Sequence, residues 1–289
     1  MAGESPNRRS ASAPAVRVLH VDDDPALLDL TATYLERIDD AFEVRSETGV
    51  GDALNALESA PIDCVISDYD MPEADGLTFL RRARDRGIDV PFVLFTGKGS
   101  EEIASEAIAA GATDYIQKRG GNDQYEVLAN RVRNAVDQHR SRAALAASQE
   151  RLSRFINQSP LGTIEYDEAF RIVRVNPAAE EILGYDASEL LGGTWLPFVP
   201  ETERRHVAAL ERDLLSDKGG YQSVNENVRS DGERIRCAWH NQVVTDAEGT
   251  VIGVFSQFED VTEAEARKRE IERTNAVLST ALDALPVGM

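Results

Sequence analysis

The sequence predicts an α/β domain built on a five-stranded parallel sheet, then a helical linker, then an α+β domain with an antiparallel sheet. Three observations predict it. Short apolar runs alternate with segments of helical periodicity five times between positions 16 and 137. A helical pattern then runs from Leu128 without a Pro or Gly until Pro160. Beyond it, long alternating strands are separated by Asp231-Gly232 and Glu248-Gly249, which are hairpin-turn dipeptides.

In the first domain, 16–21 is an apolar strand, and 26–38 carries Leu27, Leu28, Tyr34, Leu35 and Ile38 at helical spacing. Residues 42–46 alternate as a strand, and 52–58 fit a helix. The near-continuous apolar run 62–67 is what a strand covered on both faces requires. A helix at 77–84, a strand at 92–95, a helix at 101–110 and a strand at 114–117 complete the alternation. Parallel strands joined by helices place any ligand site beyond their carboxyl ends.

In the linker, small or apolar residues recur in a 4–3 pattern through Leu128, Val132, Ala135, Ala146, Leu152 and Ile156. His139, Arg142 and Gln149 interrupt it, so a weak helical seam between two copies of the chain is expected. The second domain opens with short strands at 163–166 and 172–175 and a loop-and-helix section at 177–218. Strands at 221–229, 234–244 and 251–259 follow, and then a charged helix over 263–285.

Composition narrows the function. The 289 residues hold 31 Lys+Arg against 51 Asp+Glu, a formal charge of −20. That field repels phosphate backbones and anionic membranes, so direct nucleic-acid or membrane binding is not expected. The lysines are Lys98, Lys118, Lys218 and Lys268, all other basic residues being Arg. An acidic, Arg-rich, Lys-poor chain suits high salt, where screening weakens self-repulsion. No apolar stretch is long enough to span a bilayer, and residues 1–15 are a polar tail without a signal-peptide core. Cys64 and Cys237 form no CxxC pair, which argues against disulfide or zinc frameworks. A cytoplasmic protein is expected.

The strand ends carry the chemistry. Asp22, Asp23 and Asp24 follow the first strand, Asp68 the third, Thr96 the fourth and Lys118 the fifth. Two carboxylates brought to ~4 Å repel by about 4 kcal/mol at an effective dielectric near 20. A pocket collecting several needs a cation, and oxygen ligands favour Mg²⁺.

The runs VLHVDDDP, CVISDYDMPEADGLTFLRRAR, FVLFTGKGSEE and GATDYIQKR resemble the receiver domain of two-component response regulators, a flavodoxin-like fold, over 16–137. The resemblance implies Asp68 as phosphoacceptor. It implies Asp23, Asp68 and the Asp70 backbone carbonyl as Mg²⁺ ligands, with Asp22 acting on the metal through water. Thr96 and Lys118 would contact the phosphoryl group, and Tyr115 would be the aromatic switch that moves with Thr96. A histidine kinase would be the phosphodonor. Arg119 departs from the family's proline after the lysine. Asp70 and Lys98 occupy variable positions at the pocket mouth, where an ion pair would restrict water. Asp68-Tyr69-Asp70 also looks like the DxD of haloacid-dehalogenase phosphatases, but Asp22 and Asp23 precede the nucleophile here, and in that family the acidic pair follows it.

In the second domain, IVRVNPAAEEILGYDASELLG and WLPFVP resemble the PAS sensory fold, with Asn176, Ala179, Glu180, Gly184 and Tyr185 carrying the match. Asp260-Val261-Thr262 resembles that fold's exit to a helical linker. Its ligand is left open. Cys237, Trp195 and Trp239 are read as core and His206 as surface. None of His20, His139, His206 and His240 sits in a kinase dimerisation-helix setting, and no Gly-rich nucleotide loop appears.

The expected organisation is tail 1–15, receiver 16–137, linker 138–157, PAS domain 158–262, and 263–289 as a helix running into the start of a further PAS domain. This resembles haloarchaeal receiver–PAS proteins. The expected function is a phosphorelay response regulator that dimerises through its linkers and PAS domain. The alternative is the N-terminal part of a hybrid PAS sensor kinase.

Overall fold

The structure, a computed structural model, describes residues 14–97 and 101–283 and divides into two compact units, Met1–Ala147 and Ser148–Met289. Most of the expected tail, Lys98 and the chain end at 284–289 lie outside the described residues.

The first unit alternates as the sequence predicts: β1 (Val16–Val21), α1 (Pro25–Ile38), β2 (Phe42–Glu47), α2 (Val50–Ser59), β3 (Cys64–Ser67), α3 (Gly76–Asp85), β4 (Phe92–Thr96), α4 (Glu101–Ala109), β5 (Asp114–Gln117) and α5 (Asp123–Asn157). The strands pair in parallel in the order β2-β1-β3-β4-β5. Period-two alternation splits the core into two layers. Leu19, Val21, Val65 and Leu94 pack against Leu54 of α2 and Leu80 of α3. Val18, Ile66, Val93 and Phe95 face Leu35 of α1 and Tyr125, Leu128 and Val132 of α5. Cys64 is buried and unpaired in the second layer.

That packing corrects the expected seam. Leu128, Val132 and Ala135 are buried, Leu128 and Val132 directly against the unit's own sheet, so they are not free to face a second copy. A 4–3 pattern serves either purpose, and burying apolar area on an adjacent sheet satisfies it first. Further along α5, Leu145, Leu152 and Phe155 are 60%, 62% and 79% exposed.

The second unit comprises β6 (Gly162–Asp167), β7 (Ile172–Val175), α6 (Pro177–Leu183), α7 (Ala187–Leu190), a 3-10 turn (Leu196–Phe198), α8 (Arg204–Leu215), β8 (Gln222–Val228), β9 (Arg234–Thr245), β10 (Val251–Asp260) and α9 (Thr262–Asp283). Its antiparallel sheet has the order β7-β6-β10-β9-β8. Asn176 closes the start of α6: its Oδ1 accepts from Thr163 N at 2.8 Å and Ala179 N at 2.9 Å, and its Nδ2 donates to Ile156 O and Leu161 O. All its hydrogen-bonding capacity is used. Gly184 ends the helix in the left-handed region at φ 76°, a conformation glycine adopts without strain. Asp260 Oδ1 accepts from both the N–H and the hydroxyl of Thr262, and Thr262 Oγ1 accepts from Arg236 N, tying the start of α9 to β9.

Cys237 is buried without a disulfide, and burial, then the Asp260 charge, push its thiol up to about 12. Trp195 and Trp239 are buried and His206 is exposed, as expected. No helix of the described residues is long and apolar enough to cross a membrane.

Candidate functional site

Four strand ends meet at one rim of the parallel sheet. The ladder continues one residue past the strands, with Asp68 N donating to Val21 O at 2.8 Å and Lys118 N to Thr96 O at 2.7 Å. This brings Asp22, Asp68, Thr96 and Lys118 together from three loops and a strand end. Lys118 Nζ lies 2.6 Å from Asp22 Oδ2 and 2.7 Å from Asp68 Oδ1. Asp22 and Asp68 are only 2% and 7% exposed, and Thr96 only 1%.

Each buried carboxylate has a second partner. Asp22 Oδ1 accepts from Asp24 N at 3.0 Å, and Asp68 Oδ2 accepts from Asp70 N at 2.6 Å. Burial alone would lower the Lys118 pKa, but hydrogen bonds and charge attraction from Asp22 and Asp68 outweigh it and hold it above its ordinary value. The ammonium also sits 5.6 Å from the centre of the Phe95 ring. Lys118 is therefore a fixed cation between two fixed anions.

The three consecutive aspartates divide their work. Asp22 points inward, Asp23 is exposed at the rim, and Asp24 caps α1 by accepting from Ala26 N, with Pro25 opening the helix. Two buried carboxylates against one ammonium leave a net negative charge, with Asp23 adding another at the rim. Hard oxygen donors around that charge fit a divalent cation such as Mg²⁺. Among the described residues, no three His, Cys, Asp or Glu side chains are already gathered as a metal cage. Lys118 supplies part of the countercharge for Asp22 and Asp68, and one negative charge is left over.

Tyr115 is half-buried against the layer formed with α2 and α3. Lys98, the expected partner of Asp70, lies outside the described residues. Every peptide bond among the described residues is trans, and the Arg119 N–H, which a proline would lack, donates to Gln124 Oε1 at 2.9 Å. His20, one turn of the pleat behind Asp22, is fully buried with neither ring nitrogen hydrogen-bonded. Burial, then the Lys118 charge, lower its pKa to about 3, so it is a neutral core residue at neutral pH.

One residue the motifs did not single out matters to this geometry. A Cβ on Gly76 would lie 2.4 Å from the Asp68 carbonyl oxygen and 2.6 Å from Leu94 Cδ2. Gly76 N donates to Tyr69 O at 2.9 Å, so the start of α3 is held tight against the Asp68 loop. The Asp75-Gly76 pair, a helix cap followed by a residue without a side chain, is the signal that could have found it.

Comparison with known proteins agrees with this architecture. The response regulator receiver domain family matches residues 18–133, and the PAS fold family matches residues 150–261. The chain thus carries a region similar to response regulator receiver domains followed by one similar to the PAS fold. The response regulator SaeR of Staphylococcus epidermidis is 36% identical over 101 residues, covering 35% of this chain and 43% of that protein. The bacterioopsin transcriptional activator of Halobacterium salinarum is 26% identical over 291 residues, covering 95% of this chain and 42% of that protein. The chain thus spans less than half the length of either relative. Among solved structures, the Francisella response regulator 1452 receiver domain is 24% identical, with a TM-score of 0.39, covering 43% of this chain and 98% of that one.

Proposed function

We propose that this protein accepts a phosphoryl group on Asp68 from a partner histidine kinase in a Mg²⁺-dependent step, in the cytoplasm, and passes the change through α5 to its PAS domain. The observation that carries the reading is the Lys118 bridge, 2.6 Å from Asp22 and 2.7 Å from Asp68, at the carboxyl rim of a parallel sheet. A carboxylate oxygen of Asp68 attacks phosphorus, the P–O bond forms, and the P–N bond to the donor imidazole breaks. Lys118, already desolvated and fixed beside Asp68, neutralises a phosphoryl oxygen without reorganisation. The Thr96 hydroxyl donates to another, and Tyr115 follows it. Asp22, Asp23, Asp68 and the Asp70 carbonyl would hold Mg²⁺. Held there, the ion would supply positive charge to offset that of the transferred phosphoryl group.

The helical relay would work in a homodimer. Leu145, Leu152 and Phe155 form an exposed apolar stripe on α5, the two leucines one heptad apart. The relative that covers 95% of this chain is by name a transcriptional activator, which suggests a transcription-linked output. With a formal charge of −20, these 289 residues would reach it through a protein partner. That the chain covers only 42–43% of its relatives also favours a second reading, the N-terminal part of a longer signalling protein such as a hybrid sensor kinase.

The test is mass spectrometry after treatment with acetyl phosphate and Mg²⁺. The expected result is an acid-stable, base-labile phosphate adduct that is lost in Asp68→Asn. Equal labelling of that variant would overturn the reading.

A further inference from the structure

The Lys118 ammonium has more around it than two carboxylates. Two of its three N–H donors go to Asp22 and Asp68. Its further neighbour is an aromatic ring, with Nζ 5.6 Å from the centre of Phe95. The Lys118 side chain is only 16% exposed, and Phe95 is 2% exposed. An ammonium within about 6 Å of a ring is drawn to the negative face of its π system, and the attraction grows as water is excluded.

Alternation along β4 sends Phe95, with Val93, towards α1 and α5, while Leu94 faces α2 and α3. Lys118 N donates to Thr96 O, so the lysine leaves β5 beside the end of β4. Ring and hydroxyl therefore come from consecutive residues, Phe95 for the ammonium and Thr96 for the phosphoryl group.

The ring is held from behind. Tyr125, near the start of α5, makes an edge-to-face contact with Phe95, the centres 6.3 Å apart and the planes at 66°. Tyr125 stacks on Tyr34 of α1 at 4.6 Å, the planes within 4° of parallel. Its phenol is also hydrogen-bonded to the side chain of Thr31, which is buried. Such ring pairs are worth more than the area they bury. A leucine at 95 would fill similar space but would offer no face that attracts a cation.

We propose that Phe95 is a positioning residue for phosphoryl uptake: its ring face fixes the Lys118 ammonium beside Asp68 until a phosphoryl oxygen accepts the free N–H. A ring attracts the cation without a lone pair that would compete with that oxygen. This deepens the phosphorylation reading and rests on it.

The experiment keeps the shape of the ring and changes only its charge distribution. In the full chain, Phe95 is replaced by monofluoro-, difluoro- and trifluorophenylalanine, which withdraw electron density from the face in steps. Initial rates of Asp68 adduct formation from acetyl phosphate are read by intact mass across a Mg²⁺ titration. The expected result is a stepwise fall, about fivefold for the trifluoro ring and at least as large in Phe95→Leu. The Mg²⁺ half-saturation point should not move, and thermal unfolding should stay cooperative. One rate across the fluorinated series would overturn the proposal even if Phe95→Leu is slow, because that pattern marks packing alone. A fall that comes entirely from a shifted Mg²⁺ half-saturation would overturn it too, by placing the effect on the metal site. Should Phe95→Leu misfold, the fluorinated chains still decide. A wild-type chain that takes no label fails at the phosphorylation reading and takes this inference with it, whereas normal labelling that ignores fluorination defeats this inference alone.

Discussion

The two units treat buried polar groups in opposite ways. At the rim of the parallel sheet, Asp22 and Asp68 each use both carboxylate oxygens, and Lys118 bonds to both residues. On the inner face of β8, Asn225 Oδ1 and Ser223 Oγ have no partner. A carboxylate cannot be buried alone, because desolvating an unpaired charge costs far more than desolvating an amide oxygen. The receiver site therefore carries its countercharge within the fold, whereas an unsatisfied amide is tolerated at lower cost. Removing a polar group should harm the first unit and help the stability of the second. His20 marks the limit of the contrast: it too is unpartnered, but its depressed pKa keeps it neutral.

The largest expected effect is chemical. Asp68→Asn should abolish phosphoryl uptake from acetyl phosphate, measured by intact mass, because an amide offers no anionic oxygen to attack phosphorus. It should also leave Lys118 with a neutral neighbour, so the contrast would fail if labelling persisted.

Next comes the backbone beneath the acid. Gly76→Ala places a methyl 2.4 Å from the Asp68 carbonyl oxygen, against backbone that has no rotamer to yield. Overpacking of this kind costs about 1–3 kcal/mol. Denaturant unfolding should show that loss in the receiver unit, together with slower labelling as the Asp68 loop shifts. A neutral result would mean that α3 is free to slide.

Smaller, and dependent on pH, is the clamp at Asp63. Its carboxylate pairs with Arg17 of β1 at 3.0 Å and Arg140 of α5 at 2.9 Å. Burial raises its pKa, but hydrogen bonds from Arg17 and the nearby Arg140 outweigh this and hold it below the ordinary value. A carboxylate whose folded pKa is depressed adds stability above its unfolded pKa and loses it as pH falls through the folded one. Asp63→Asn should therefore cost about 1–2 kcal/mol near neutral pH, discounted because both arginines are partly exposed. That cost should fade as the pH falls below the ordinary carboxylate range and through the depressed folded pKa of Asp63. A gap between wild type and variant that stays constant across this range would show that the pair does not stabilise by charge.

How much of this was legible in the sequence follows from the same physics. Strand and helix positions came through because alternation between periods of 2 and 3.6 is a local signal, and β1, β5 and β7 have the bounds their residues predict. The acidic rim was legible because Asp22, Asp68 and Lys118 fall directly after apolar runs and Thr96 ends one. The close approach of Gly76 to Asp68 was not, since nothing local reports how near two loops pass. The fate of Leu128 and Val132 was ambiguous for a different reason: one apolar stripe fits a sheet or a second helix equally well. β8 inverted the rule altogether. Val224 and Val228 alternate with polar residues in a way that assigns the valines to the core, yet Asn225 and Asn227 are the buried ones.

That inversion supplies the smallest and most diagnostic expected effect. In Asn225→Leu, an amide whose Oδ1 is unpaired gives way to an apolar group of similar volume, in the wall of an internal cavity also lined by Phe198 and Trp239. An unsatisfied buried acceptor costs roughly 1–3 kcal/mol, while replacing a polar group by an apolar one of the same shape is close to neutral or stabilising. Unfolding of the variant should therefore show the second unit gaining about 1 kcal/mol. A loss of stability would mean that Asn225 already makes a bond the fold depends on, and the difference between the two units would then disappear. A gain would show that this residue is kept at a cost to folding.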